Sequence, residues 1–206
     1  MQIFSGRLKG RHLKFDFDNQ PRPTMGKVRE ALFNIIRDPL QGASFLDCFA
    51  GTGAVGFEAL SRGAARVVFI EQDGKLIGAL SANARTLAVH EEVRIAGGPC
   101  ALMLKRLTRE PPECFDLVYI DPPYHRGIAE EALTMLIDLA LLKPGWIAII
   151  ERSQKEIKKL EAPLLDRGAE CYSERRYGST VLEFWRQGAL PAPTGLAAPA
   201  VAPNAP

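Results

Sequence analysis

Phe45-Leu46-Asp47-Cys48-Phe49-Ala50-Gly51-Thr52-Gly53-Ala54-Val55-Gly56 decides the fold: a short apolar run enters a glycine-rich turn, and an amphipathic pattern near Val55–Arg62 follows. Glycines permit a tight turn and let a ligand approach the backbone. The helix that follows offers unpaired N–H groups at its N-terminus. Glu71 closes the next apolar run, 20 residues beyond Gly51, where a carboxylate can accept hydrogen bonds from both hydroxyls of a ribose. Gly51-x-Gly53-x-x-Gly56 with this acid meets the dinucleotide-binding fingerprint. A glycine turn that serves only strand–helix packing meets the glycine part equally well.

Outward from this stretch the same alternation repeats. Apolar runs at Ser44–Asp47, Arg66–Glu71, Val93–Ala96, Phe115–Ile120 and Trp146–Glu151 predict strands. Helical patterns lie between them near Val55–Arg62, Gly74–Ala88, Cys100–Leu107 and Ile128–Leu141. Continuous runs such as Val67-Val68-Phe69-Ile70 suit strands buried on both faces of a helix-covered parallel sheet. Residues 169–186 differ. Two segments flank Tyr177-Gly178-Ser179, and the second alternates Val181, Glu183 and Trp185 against Leu182, Phe184 and Arg186, which predicts a terminal antiparallel pair.

Upstream, residues 2–15 interleave basic side chains with glycine, Leu8, Leu13 and Phe15, predicting a short twisted hairpin or edge strand. Pro21-Arg22-Pro23-Thr24 breaks the chain. Thr24 is expected to N-cap a helix reaching about Arg37, with Val28, Ala31, Leu32, Ile35 and Ile36 at helical spacing. The organisation expected is therefore a basic extension over 1–37, an α/β domain over 38–187 and a tail over 188–206. That tail holds seven alanines, five prolines and no charge, a composition that builds no core.

With 206 residues, 47% hydrophobic and 24% charged, the chain has the composition of one globular domain. Its 26 basic and 24 acidic side chains leave +2, which on its face argues against a nucleic-acid partner. The distribution reverses that reading. Residues 1–37 carry eight basic and three acidic side chains, +5, leaving −3 for the remainder. Cys48, Cys100, Cys114 and Cys171 form no C-x-x-C pair and have only three histidines to assist them, so neither a disulfide framework nor a metal site is expected. The first residues hold no apolar signal core, and no run approaches the roughly 18 apolar residues of a membrane span. A reduced, cytoplasmic protein is expected.

Two further observations narrow the chemistry. Asp47 lies four residues before Gly51, where a pyrophosphate gains nothing from an extra anion. S-adenosylmethionine instead carries an ammonium and a sulfonium, both favoured by a carboxylate. The second is Phe115-Asp116-Leu117-Val118-Tyr119-Ile120-Asp121-Pro122-Pro123-Tyr124, the most specific signal in the chain. A buried strand delivers an acid, two prolines and an aromatic ring to its carboxyl end, where open α/β sheets bind ligands. Asp121 and the Pro122 carbonyl could each accept an N–H of an exocyclic amine on a planar base, with Tyr124 stacked on its face, a contact worth about 1–3 kcal/mol. Acceptors on both N–H groups localise the nitrogen lone pair. Attack on a sulfonium methyl then needs mainly alignment. A base within a helix must first be splayed out.

Through these motifs the chain resembles the class I S-adenosylmethionine-dependent methyltransferases, and within them the RsmD family, which methylates the exocyclic N2 of a guanine in 16S ribosomal RNA. The resemblance runs over about residues 2–186. It rests on Ile3, Gly6 and Gly10, on Arg22-Pro23-Thr24, and on Val28-Arg29-Glu30-Ala31-Leu32-Phe33-Asn34. Phe45–Gly53, Glu58-Ala59-Leu60-Ser61-Arg62-Gly63, Asp121–Tyr124 and Tyr177-Gly178-Ser179-Thr180 complete it. It implies a Rossmann-like, seven-stranded, mostly parallel sheet with an antiparallel last strand. Its implied S-adenosylmethionine contacts are Thr24, Asp47, Ala50, Gly51, Thr52, Gly53, Glu71, Gln72, Cys100 and Asp121, with S-adenosylhomocysteine as product. Asp121, Pro122, Pro123 and Tyr124 would hold the guanine, and Arg7, Lys9, Arg11, Lys14 and Arg22 would meet RNA phosphates. The partner implied is 16S rRNA in an assembling small subunit; a monomer without membrane contact is expected.

The chain departs from the family at Thr24-Met25-Gly26-Lys27, where a second threonine and an acid are usual, and at Pro99, where Asp or Asn is common. Adenine recognition is therefore expected to fall to the Cys100 backbone. Three other readings stay open on residues alone. Asp-Pro-Pro-Tyr also suits the N6 amine of adenine in DNA or another RNA. The glycine fingerprint admits an oxidoreductase, although nothing downstream resembles a hydride-transfer site. A nucleic-acid-binding module without catalysis would keep the fold but has no use for Asp121 and Glu71.

Overall fold

Strands and helices alternate through the computed structural model, which describes residues 1–14, 23–109, 112–123, 127–155 and 161–188. In chain order they are α1 (Pro23–Ile35), β1 (Ser44–Cys48), α2 (Ala54–Ser61), β2 (Arg66–Glu71), α3 (Gly74–Thr86), β3 (Val93–Gly97) and α4 (Cys100–Leu107). There follow β4 (Phe115–Ile120), α5 (Ile128–Asp138), β5 (Leu142–Ser153), α6 (Glu161–Leu165), β6 (Ala169–Tyr177) and β7 (Thr180–Gln187). One seven-stranded sheet forms in the order β3-β2-β1-β4-β5-β7-β6. The pairings from β3 through β5 are parallel, and β7 runs antiparallel between β5 and β6. The antiparallel last strand and the α/β architecture match the expectation.

Both faces of the sheet are covered, as the unbroken apolar runs require. On one face Phe45, Val67, Phe69 and Leu117 pack with Val28, Leu32 and Phe33 of α1, Phe57 of α2 and Leu80 of α3. On the other, Leu46, Val68, Val118 and Ile150 pack with Leu104 of α4 and Leu133 and Leu136 of α5. Each such side chain, fully buried, contributes about 1.5–3 kcal/mol. Strand order reverses between β1 and β4, because the chain proceeds from β1 to β2 and β3 on one side and from β4 to β5 on the other. Such a reversal opens a crevice at the carboxyl ends of the strands.

Two expectations for the N-terminal region are corrected. Helix α1 begins at Pro23 and ends at Ile35, so Thr24 lies inside its first turn and not at the position before it; proline is at home there because the first turn's N–H groups have no helical partner. Among the described residues, 2–14 form no strand of a hairpin or of the sheet edge. A single antiparallel bridge, Gln2 with His12, closes an arch whose tip is a series of turns. Helices hold the arch. Glu58 of α2 accepts the Phe4 and Ser5 N–H groups at 2.8 and 3.0 Å, the Ser61 hydroxyl accepts Leu8 N–H at 2.9 Å, and Asn83 of α3 brackets the Lys14 backbone. Ile3, Leu8 and Leu13 thereby join the core under α1, α2 and α3. No helix among the described residues is long and apolar enough to cross a membrane.

Candidate active site

Asp47, Glu71 and Asp121 stand at the carboxyl ends of β1, β2 and β4, three neighbouring strands. Asp47 is in register with Phe69 and Tyr119, each two residues before one of the other acids, so alternation directs all three carboxylates to one face of the sheet. Asp47 is 2% exposed and accepts one hydrogen bond, from the Gly56 N–H at 2.9 Å. Burial pushes its carboxyl pKa well above the ordinary carboxylate range; the charges of Asp121 and Glu71 push the same way, and the Gly56 N–H opposes them. Among the described residues no cation pairs with it.

Glu71 is occupied differently. One oxygen accepts Gly51 N–H at 2.7 Å, and the other accepts Gln72 and Asp73 N–H at 2.8 and 2.9 Å. It therefore fixes the glycine loop against the entry to α3. Three bonds leave acceptor capacity on a carboxylate with about four lone-pair positions.

The glycines of the loop divide their labour. Gly53 has φ +75° and caps α2; a Cβ there would lie 2.4 Å from the Leu80 side chain. A Cβ on Gly56 would lie 2.2 Å from the Phe69 ring, so this residue lets α2 settle on β2. Both positions obey the packing reading. Gly51, at φ +55°, would meet nothing within 4 Å, which leaves its backbone open to a ligand.

A cleft of about 330 Å³ opens beside this loop, within the range of small-molecule sites. Glu71, Gln72, Cys100, Asp121 and Pro123 line it, all expected from the sequence, together with Phe49, Ile70 and Gly98, which were not. Phe49 adopts φ +63°, a left-handed conformation uncommon for a bulky residue, immediately after β1. No local sequence signal distinguishes it. Gly98 joins through its N–H, which donates to the Glu71 carbonyl at 2.8 Å. Behind the cleft wall the Cys48 thiol hydrogen-bonds the Cys100 thiol; that contact, with burial, raises its pKa well above the usual thiol range. Among the described residues no group of three or more His, Cys, Asp or Glu side chains is placed to hold a metal ion.

Ala50 and Thr52 complete the loop, with Ala50 N–H donating to the Ile70 carbonyl at 2.9 Å and the Thr52 hydroxyl 3.9 Å from the Met1 sulfur. Pro122, half-buried, follows Asp121. Thr24 falls at the start of α1, whereas Tyr124 and Arg22 lie outside the described residues. Beneath Asp121, on the same strand face, the buried Tyr119 hydroxyl donates to Glu151 of β5. Burial raises both their pKa values, with the Glu151 charge adding to the rise at Tyr119.

Not every basic residue of the N-terminal segment accompanies this cluster. Helices α2 and α3 run back from the carboxyl edge of the sheet to its amino edge, where β2 and β3 begin. Arg7 bonds through its backbone to Ser61, the end of α2, and through its guanidinium to Glu92, just before β3. Arg11 donates to the Thr86 carbonyl at the end of α3, at 2.7 Å. Both are thus tethered at the edge opposite the cleft, with Lys9 exposed between them. Lys14, nearer the middle of α3, is held by its backbone.

Known proteins are similar to this chain over most of its length. The family model described as conserved hypothetical protein 95 matches residues 1–186. Ribosomal RNA small subunit methyltransferase D of Haemophilus influenzae is 36% identical over 152 residues, covering 73% of this chain and 78% of that protein. The protein of the same name from Buchnera aphidicola is 34% identical over 154 residues, covering 75% and 78%. Among solved structures, a candidate methyltransferase from Escherichia coli superposes with a TM-score of 0.76 at 29% identity, covering 92% of this chain and 98% of that one.

Proposed function

This chain belongs to the conserved hypothetical protein 95 family, that of the RsmD methyltransferases, and on that footing we propose that it transfers a methyl group from S-adenosylmethionine to the exocyclic N2 amine of a guanine in 16S ribosomal RNA. The observation that carries the reading is Asp47: a buried carboxylate, crowded by two others and without a cation, beside a glycine backbone open to a ligand. An ammonium or sulfonium relieves that crowding, whereas a pyrophosphate would add to it. Asp47 does not itself line the cleft but stands behind it, within the field of Glu71 and Asp121, which do; S-adenosylmethionine, when bound, supplies an electrophilic methyl.

The chain's own groups do the rest. Glu71 keeps acceptor capacity for ribose hydroxyls while bracing the loop, and the walls at Phe49, Ile70 and Cys100 offer an apolar slot for a flat ring. Asp121 and the Pro122 carbonyl accept the two N–H groups of the target amine, orienting its lone pair; Tyr124 stacks on the base. Alignment and fixed dipoles supply the acceleration.

Replacing Asp121 with alanine tests this directly. Methyl transfer to small-subunit RNA is expected to vanish while S-adenosylmethionine affinity stays within a few-fold; undiminished turnover would remove the amine acceptor from the mechanism. Mapping that RNA from cells lacking the protein should reveal one missing methylguanine, restored by purified enzyme. Restoration of a methyladenine instead would replace the guanine reading with its N6 counterpart.

A further inference from the structure

The β6–β7 hairpin ends at the same edge of the sheet as the cleft. Ile120, the last residue of β4, pairs with Ile150, and β5 continues through Glu151, Arg152 and Ser153. Ser153 pairs with Thr180 of β7, Thr180 pairs with Tyr177 of β6, and the Gln154 N–H donates to the Ser179 carbonyl at 2.8 Å. The Gly178-Ser179 turn is therefore pinned to the outgoing end of β5. Across the sheet it lies between two and three strand spacings from β4, about 10–14 Å at about 4.8 Å each.

Exposed cations flank this corner: Lys155 just after β5, and Arg175 and Arg176, which project from opposite faces of β6 just before the turn. Their strand neighbour Glu174 takes the Arg176 guanidinium at 2.9 Å and lends its carbonyl to Arg175; among the described residues, Lys155, Glu174, Arg175 and Arg176 sum to a charge of +2. Arg152 does not share in it, because its guanidinium turns inward to Glu130 and Glu183. The corner differs from the N-terminal arch in place, because Arg7 and Arg11 are held to Glu92 and Thr86 at the edge opposite the cleft. An RNA strand whose target base enters beside Asp121 must carry its flanking phosphates along the carboxyl rim.

Resting on the RNA-methylating reading above, we propose that Lys155, Arg175 and Arg176 form a phosphate-binding corner that grips the RNA strand flanking the target nucleotide. The grip is electrostatic and sequence-independent, so it acts on RNA affinity and not on the chemical step.

The test uses the full chain with 16S rRNA and with isolated small subunits as probes. The triple variant Lys155→Ala/Arg175→Ala/Arg176→Ala is expected to raise KM for RNA about tenfold, with kcat within twofold and S-adenosylmethionine affinity unchanged. The slope of log affinity against log salt should flatten by about two, given about 0.7–0.9 per phosphate contact. Arg175→Lys/Arg176→Lys, which keeps the charge, should stay near wild type, as should Arg7→Ala/Arg11→Ala at the opposite edge. Wild-type KM and salt slope in the triple variant, or a loss confined to kcat, would overturn the proposal and leave the methyltransferase reading intact. Binding of S-adenosylmethionine without any transfer to RNA by the wild-type protein would overturn that reading, and the corner with it.

Discussion

Glu58 and Asp47 are both buried carboxylates on the same side of the sheet, and their surroundings could hardly differ more. Glu58 is fully enclosed, accepts two backbone N–H groups from the arch, and holds the Arg62 guanidinium at 2.7 Å with Arg29 at 3.9 Å. Asp47 has one backbone N–H and two other carboxylates for company. A buried charge that is fully partnered supports the fold, and a buried charge short of partners costs stability. The fold retains Asp47 at a cost, which is the signature of a residue whose partner arrives from outside.

The largest effect that can test this contrast is on Glu58. Its replacement by alanine strands two guanidinium groups and two N–H groups, and should cost about 3–5 kcal/mol. At about 2–4 °C per kcal/mol, calorimetry should record a melting point lower by about 10 °C. Cofactor affinity measured well below that transition should barely change.

Asp47→Asn should behave in the opposite way. Its amide oxygen still accepts the Gly56 N–H, but the carboxylate for a cationic ligand is gone, so affinity should fall by about 2–3 kcal/mol, roughly 30- to 150-fold. Stability without ligand should hold or rise. Because the folded-state pKa of Asp47 is raised, the folded protein binds more protons than the unfolded one, and stability falls as pH climbs from the ordinary carboxylate range through the raised value. The asparagine variant should lack that slope in denaturation curves taken across pH. Retention of the slope would assign it to another group.

Smaller effects separate the glycines. Gly56→Ala drives a methyl into Phe69 and should cost about 2 kcal/mol of stability with little change in ligand affinity. Gly51→Ala meets open space and should cost about 1 kcal/mol for its left-handed backbone, yet weaken the ligand. Smallest of all, Pro99→Asp should leave cofactor affinity within threefold and add up to about 1 kcal/mol as an N-cap of α4. A tenfold loss of affinity would reject recognition through the Cys100 backbone.

What was legible in the sequence follows from how local its causes are. β1, β2 and β4 declare themselves because strands buried on both faces need unbroken apolar runs. β5 is longer than its Trp146–Glu151 signal because Lys143-Pro144-Gly145 reads as a turn; in the sheet it becomes a bulge, with Phe115 opposite Leu142 and Leu117 opposite Ile147. Pro144 and Gly145, at φ +79°, fit an irregularity that a regular ladder would refuse. Asp47, Glu71 and Asp121 could be found because strand ends are marked. The arch could not be read correctly: its stabilising groups, Glu58, Ser61 and Asn83, are supplied by positions 53 to 69 residues away in the chain. Phe49 and the Cys48–Cys100 contact likewise depend on tertiary placement.

Those long separations bear on synthesis. The arch is made before the groups that dock it, the latest of which are Thr86 and Glu92. At about 5–20 residues per second, the ribosome takes about 4–16 s to deliver them. Through that interval Ile3, Leu8 and Leu13 lack the helices that bury them, so the nascent chain exposes an apolar, cationic segment. A segment made ahead of α2 and α3 thus waits for both helices before it finds its place.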